Sequence, residues 1–433
     1  MPAADEPSWR PTNAMLRACL GSLVLVLVAV LAGRPDVLVL ASPLLLVAVA
    51  SAVRRPETAP AARARLLHAS IREGEGTAVR TTVRDAADVE HAVVALAPHQ
   101  WVAYDPPLGV RDLAPSLSQD VLTIDVPVSG RRWGRRSLGD GLVAVTSPWG
   151  AFRRRMEAPH PLTLTVLPTP GTFDAHAAAP HPVGLVGTNP ARRPGEGTEF
   201  ASIRPFTAGD RLHRVQWRVS LRTGTLHVTS TQAEQDAAIL LLLDAVADLG
   251  DSDGLDGPAS SLDVTVRAAG AIAEHYLRRG DRVGLRVLGS SANALRVAGG
   301  VQHLRRLLDS LARVVPGRVR HLDPARLGLG LVDGTVVIVL SPMLSEQAVT
   351  TTVALARRGL TVVVVDPLPA DLAERAEPRE AVAWRLRLLE RDVLLAQVRA
   401  AGIPVVPWRG PGTLDDVLRR LSRRSAMPRL VSR

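Results

Sequence analysis

Thr198–Ala245 reads TEFASIRPFTAGDRLHRVQWRVSLRTGTLHVTSTQAEQDAAILLLLDA, an arginine-rich polar stretch that runs straight into an apolar run ending in aspartate. The run Ala237–Leu243 has no polar alternation, which predicts a strand buried on both faces. Similar runs follow at Arg282–Leu288, Val336–Leu340, Leu360–Val365 and Ile403–Val406. Between and after them lie amphipathic segments at Leu262–Arg279, Val301–Val314, Ser345–Arg358, Ala381–Ala401 and Leu414–Arg423. Strand and helix in alternation predict a doubly wound α/β domain over residues 237–433, its parallel sheet covered on both faces.

Working upstream, the texture changes. Residues 66–168 contain short alternating segments such as TAVRTTVRD, VLTIDVPVS and LTLTVLP, separated by Gly, Pro, Asp and Ser turns. Period-two alternation with frequent turn signals predicts an antiparallel, Ig-like β-sandwich. Residues 169–197, rich in Pro, Ala, Gly and Thr, read as an extended connector, and residues 198–236 as a polar motif. The basic runs Arg131–Arg132, Arg135–Arg136 and Arg153–Arg155 read as solvated edges of the sandwich, with a lipid or nucleic-acid site as the alternative.

Two apolar runs stand near the N-terminus within residues 16–55, Leu16–Gly33 and Asp36–Val53. Each would be about 27 Å long as a helix, close to the hydrocarbon thickness of a bilayer. Arg34-Pro35-Asp36 makes a turn between them, because Pro lacks an N–H and disfavours helix in the residue before it. The pair predicts a transmembrane hairpin between an N-terminal tail, residues 1–15, and a linker, residues 56–65. An immediate second run argues against a cleaved signal peptide. Arg10, Arg17, Arg54 and Arg55 flank the hairpin, so the positive-inside bias puts both termini in the cytoplasm of a cell-membrane protein.

Composition narrows the chemistry. The chain of 433 residues has a net charge of +10 and no lysine, so no P-loop lysine exists and hydrolysis of ATP by the chain itself is not expected. Its one cysteine, Cys19, falls in the first apolar run. The soluble part therefore has no thiol for a disulfide, a metal site or nucleophilic catalysis. Neither H-E-x-x-H nor G-x-S-x-G occurs. Aromatic residues make up 3% of the chain and the basic groups are dispersed, which weighs against nucleic acid.

Within the polar motif, Gly209-Asp210 suits a helix start, with Leu212, Val215 and Val219 on one face and Gly224 at the end. The opposite face would then carry Arg211, Arg214, Arg218 and Arg222. Such a ladder suits carboxylates, phosphates or a partner's acidic surface, or else acids within the chain such as Glu234 and Asp236. Trp217 reads as core or edge packing.

These residues resemble the signature of the bacterial domain-of-unknown-function family fifty-eight, matching at Gly209, Asp210, Arg214, Trp217, Arg222, Gly224, Leu226, Val228, Glu234 and Asp244. Ser147-Pro148-Trp149-Gly150-Ala151-Phe152-Arg153 is similar to a further element of that family. The resemblance implies a C-terminal domain like von Willebrand factor type A modules and, as a partner, a MoxR-type AAA+ ATPase. Type A modules often hold Mg²⁺ through D-x-S-x-S after the first strand, together with a Thr and a second Asp. Here Val246 and Asp248 replace the two serines, and Ser341-Pro342-Met343 stands where an acid is implied. The expectation is therefore a degenerate site at Asp244 and Asp248, with no metal or other cofactor.

Together these readings predict a non-enzymatic adaptor in the inner membrane that binds protein and lipid bilayer but not nucleic acid. The alternatives are a metal-dependent adhesion or sensor module facing outward, and an enzyme whose site only folding assembles from Asp244, Asp248, Asp366 and histidines.

Overall fold

Strand Val121–Gly130 buries every second residue, Leu122, Ile124, Val126 and Val128, because a pleated backbone sends successive side chains to opposite faces. It lies in a four-stranded antiparallel sheet in the order Ala61–Leu66, Gly76–Arg84, Val121–Gly130, Val102–Tyr104. A five-stranded sheet runs Arg10–Pro11, Phe152–Glu157, Leu142–Thr146, His91–Ala95, Val110–Leu113. A three-stranded sheet runs Ser70–Arg72, Thr163–Leu167, Gly134–Ser137, its first pair parallel. All three contribute to one core, with Val79 and Val126 from the first, Val94 and Val143 from the second and Leu164 and Val166 from the third.

The computed structural model describes residues 8–114, 120–139, 141–157, 161–169, 194–207, 215–232, 238–317, 335–369, 372, 378–410 and 412–415. The chain divides into two units, Met1–Thr169 with Asp253–Pro258, and Pro170–Ser252 with Ala259–Arg433. The first unit holds the three sheets and two apolar helices, Asn13–Leu31 and Asp36–Val53, with mean hydropathies of 2.4 and 2.2. Both helices are long and apolar enough to cross a membrane, and they pack against each other.

The N-terminal segment is not a free tail in the described residues. Trp9 is buried in the β core and donates its indole N–H to Thr58 O at 2.8 Å, while Arg10 and Pro11 pair with Arg153 and Phe152. A buried indole that also satisfies its N–H gains far more than fraying would return. Thr12 then caps the first apolar helix, its hydroxyl accepting from Met15 N at 3.2 Å and donating to Gly150 O at 2.7 Å. In the acidic stretch after Asp244, Asp251, Asp253 and Asp256 are exposed. Residues 253–258 belong to the first unit, where Leu255 N donates to Arg131 O at 2.8 Å.

In the second unit we number the elements of the main sheet in chain order. The strands are β1 Ala238–Asp244, β2 Arg282–Leu288, β3 Ser290–Ala298, β4 Val336–Leu340, β5 Thr361–Asp366 and β6 Val405–Pro407. The helices are α1 Ser261–Arg278, α2 Val301–Ala312, α3 Glu346–Arg357 and α4 Pro378–Ala400. The sheet order is β3-β2-β1-β4-β5-β6, with every pair parallel except β2 with β3.

Leu240, Leu242, Val337, Val339, Val362 and Val364 share a core with Ala348, Val349 and Leu355 of α3 and Leu395 and Val398 of α4. The intervening residues Ile239, Leu241 and Leu243 face the other way, where α1 packs on β1, β2 and β4. Continuous apolar strands thus arise because both faces are covered. A capping box starts α1, with Ser260 Oγ accepting from Asp263 N and Asp263 returning a carboxylate to Ser260 N, each at 3.3 Å. The antiparallel edge strand β3 went unread in the sequence, because Gly289-Ser290-Ser291 suggests a turn and the ladder with β2 is irregular.

Candidate functional site

The strand order reverses between β1 and β4: the chain leaves β1 toward β2 on one side, and leaves β4 toward β5 on the other. The connections from these neighbours therefore run to opposite sides, and open α/β sheets bind ligands at the carboxyl ends of strands where the order reverses in this way. Asp244 ends β1 and Ser341 follows β4, and the Ser341 hydroxyl donates to Asp244 Oδ2 at 2.6 Å. Asp244 Oδ1 accepts from Val246 N at 3.1 Å. The carboxylate is 5% exposed, and burial pushes its pKa above the ordinary aspartate range against the opposing pull of these two hydrogen bonds.

The surrounding loops are equally tied down. Met343, with φ of 53°, donates its N–H to Ser341 Oγ at 2.9 Å. Arg391 of α4 is buried, gives its Nε–H to Pro342 O at 2.6 Å and forms an ion pair with Asp366 at the end of β5. Asp248 Oδ1 accepts from Leu262 N at 3.0 Å in the first turn of α1. Beside Ala245 the backbones of Gly289 and Gly317 cross so closely that a Cβ on Gly317 would lie 2.8 Å from Gly289 O. Only glycine fits such an approach.

At the positions where type A modules carry their metal ligands, Asp244 accepts from a hydroxyl and an amide, position 246 is a valine, and Asp248 accepts from the first turn of α1. Among the described residues no group of three or more His, Cys, Asp or Glu could hold a metal ion. Asp244 and Asp366 belong to one end of the sheet but answer to different partners, Ser341 and Arg391.

The polar motif forms a separate surface. Strands Pro194–Pro205 and His227–Gln232 pair antiparallel, and between them lies a helix at Trp217–Thr223, closed by Gly224 at φ of 70°. The helix is shorter than expected at its start. Val215 is buried and bridges to Val228, and Gln216 N donates to His227 O at 2.8 Å, so the β-branched residue extends the hairpin ladder instead of opening a helix. Trp217, expected to pack inward, is 62% exposed, and Leu221 one turn later is 82% exposed. Arg218 and Arg222, also exposed, sit one position beyond each. Gly209, Asp210, Arg211, Arg214 and Glu234 lie outside the described residues.

The family model described as "Protein of unknown function DUF58" matches residues 202–382. The chain carries a DUF58 region. Uncharacterized proteins of Mycobacterium bovis and Mycobacterium tuberculosis are each 26% identical over 204 residues, covering 46% of this chain and 56% of the relative. The chain thus spans about half the length of the curated relatives it matches. Among solved structures, a GH20 exo-β-N-acetylglucosaminidase from Vibrio harveyi aligns with a TM-score of 0.18 at 10% identity, over 86% of this chain and 95% of that one. So low a score carries no structural argument.

The DUF58 match takes in the exposed helix, β1 to β5 and the strand-end residues Asp244, Ser341 and Asp366. Arg391 lies beyond it. Sequence reading treated Ser341 only as a missing acid and passed over Arg391. The signal available was position, a hydroxyl directly after a buried strand, whereas nothing local marks an arginine on a long helix as the partner of Asp366.

Proposed function

We propose that the chain is a non-enzymatic membrane adaptor whose DUF58 region binds a protein partner, on a domain of the von Willebrand factor type A-like class. The observation that carries this reading is the helix Trp217–Thr223, which presents Trp217 and Leu221 one turn apart with Arg218 and Arg222 beside them. Exposed tryptophan and arginine together are the residue types that dominate binding energy at protein interfaces, and the two arginines favour an acidic partner surface. A MoxR-type AAA+ ATPase is the partner to test first, supplying any work from its own ATP. The carboxyl end of the sheet supports a scaffold role, because Asp244, Asp248 and Asp366 each spend carboxylate oxygens on the fold.

The apolar hairpin is the anchor in this reading. Trp9 and Pro11 before it and Ala62 after it belong to one β unit, so both ends of the hairpin meet the same side of a bilayer. The flanking arginines favour the cytoplasmic side of the inner membrane.

Co-purification from solubilised membranes tests the interface. Trp217→Ala and Arg218→Glu/Arg222→Glu are each expected to weaken capture of the ATPase at least tenfold, as a hot spot of about 2 kcal/mol requires. Undiminished capture by both variants would overturn the assignment of this helix.

A further inference from the structure

The turn Ser147–Phe152 is built more firmly than a sandwich loop requires. Trp149 adopts φ of 58° and ψ of 19°, a left-handed conformation that bulky side chains rarely tolerate, and Gly150 follows at φ of 60°. The strain is held from several directions. Ser147 N donates to Phe152 O at 2.9 Å, Phe152 N to Ser147 Oγ at 3.0 Å, and Gly150 N to Ser147 O at 2.9 Å. The same turn grips the entry to the first apolar helix, with Thr12 N donating to Ala151 O at 2.8 Å and Thr12 Oγ1 to Gly150 O. The result leaves Trp149 47% exposed, with the Arg54 guanidinium 5.6 Å from its ring centroid. Arg54 is the C-cap of the second apolar helix.

Cationic groups gather at the same level. Arg10, two residues before the first helix cap, lies directly opposite Arg153 on the antiparallel pair, and both are exposed. Arg55 is exposed beside Arg54. Among the described residues no ion pair involves Arg54, Arg55 or Arg153. Strain, an exposed indole and apposed arginines all occur where two apolar helices meet a polar domain.

We propose that this turn is a membrane-interface clamp: Trp149 enters the headgroup layer, and Arg10, Arg54, Arg55 and Arg153 form a collar for anionic phospholipid headgroups. The inference rests on the reading of the hairpin as a bilayer anchor. Tryptophan favours the membrane–water boundary because one end of its ring system is apolar and the other carries an N–H, and each arginine near an anionic leaflet adds to the attraction. The collar thereby sets the depth of the hairpin and the orientation of the β unit on the bilayer.

The test uses the full chain with Cys19→Ala and Trp149→Cys, an environment-sensitive fluorophore on the new thiol, and vesicles carrying a nitroxide near the headgroups. In vesicles containing about one third phosphatidylglycerol, quenching is expected to exceed that in pure phosphatidylcholine about twofold. Adding Arg54→Gln, Arg55→Gln and Arg153→Gln is expected to bring it down to the phosphatidylcholine level. With native Trp149 in place, trypsin cleavage after Arg54 is expected to slow severalfold in the anionic vesicles. An unquenched label, or equal cleavage in both vesicle types, in a chain that resists carbonate extraction overturns the clamp and leaves the anchor standing. Release of the chain by carbonate overturns the anchor and the clamp with it.

Discussion

Strands Val121–Gly130 and Ala238–Asp244 each contain one aspartate, and the two acids are treated in opposite ways. In the first strand every second residue is open, so Asp125 stands on the outer face, where Arg80 donates to it at 2.8 and 2.7 Å and both side chains remain about a third exposed. The Arg80 hydrogen bond is the chief reason its carboxyl titrates below the ordinary range. In the second strand no residue is open, and among the described residues Asp244 accepts from a hydroxyl and an amide. Burial raises its pKa. The layer arrangement therefore decides in which direction each acid's titration is displaced.

The sharpest way to break this comparison is through the cores. Leu241→Ala, at a fully buried position of β1, is expected to cost about 2–5 kcal/mol, whereas Thr123→Ala on the open face of Val121–Gly130 is expected to stay within about 0.5 kcal/mol. Hydrogen exchange in the detergent-solubilised chain reads each unit separately. Loss of protection for Thr123→Ala as large as for Leu241→Ala would mean that the first sheet is covered on both faces.

Next comes the acid of the buried strand. Asp244 holds its proton more tightly folded than unfolded, so the second unit loses stability as pH rises from the ordinary aspartate range through the raised value. Asp244→Asn is expected to flatten that slope, measured as the midpoint of urea unfolding against pH. A wild-type midpoint that falls on acidification across this window would reveal a cationic partner for Asp244.

The smallest effect belongs to the open pair. Asp125 titrates below its unfolded value, so its contribution is present above the ordinary range and disappears as pH falls through the depressed value. Arg80→Gln is expected to remove this acid-side dependence while scarcely moving the midpoint at neutral pH, because solvent screens a pair so exposed. Adding salt to the wild type is expected to mimic the substitution. A large loss at neutral pH would instead show Arg80 packing as part of the core.

Much of the architecture was legible in the chain because periodicity is a local property. Strand Arg282–Leu288 and strand Val336–Leu340 occur where their apolar runs predict, and the hairpin helices begin and end beside Thr12, Pro35 and Arg54, whose capping and turn chemistry is short-ranged. The exposed helix was legible only at its C-terminal end, where Gly224 supplies the left-handed cap. Its start moved because Val215 found a cross-strand neighbour at Val228, and pairing of that kind overrides helical spacing.

The order of apolar and polar residues by itself determined two membrane-length helices, an alternating β region and a domain of fully buried strands, since each follows from which faces of an element must avoid water. Only the tertiary structure decided that Trp9 closes the β core, that Ser341 meets Asp244 across the switch in strand order, that Arg391 answers Asp366, and that Trp217 and Trp149 turn outward. Those outcomes join residues far apart in the chain, and their partners are chosen by how layers stack and where the chain reverses. No spacing along a single segment encodes that choice.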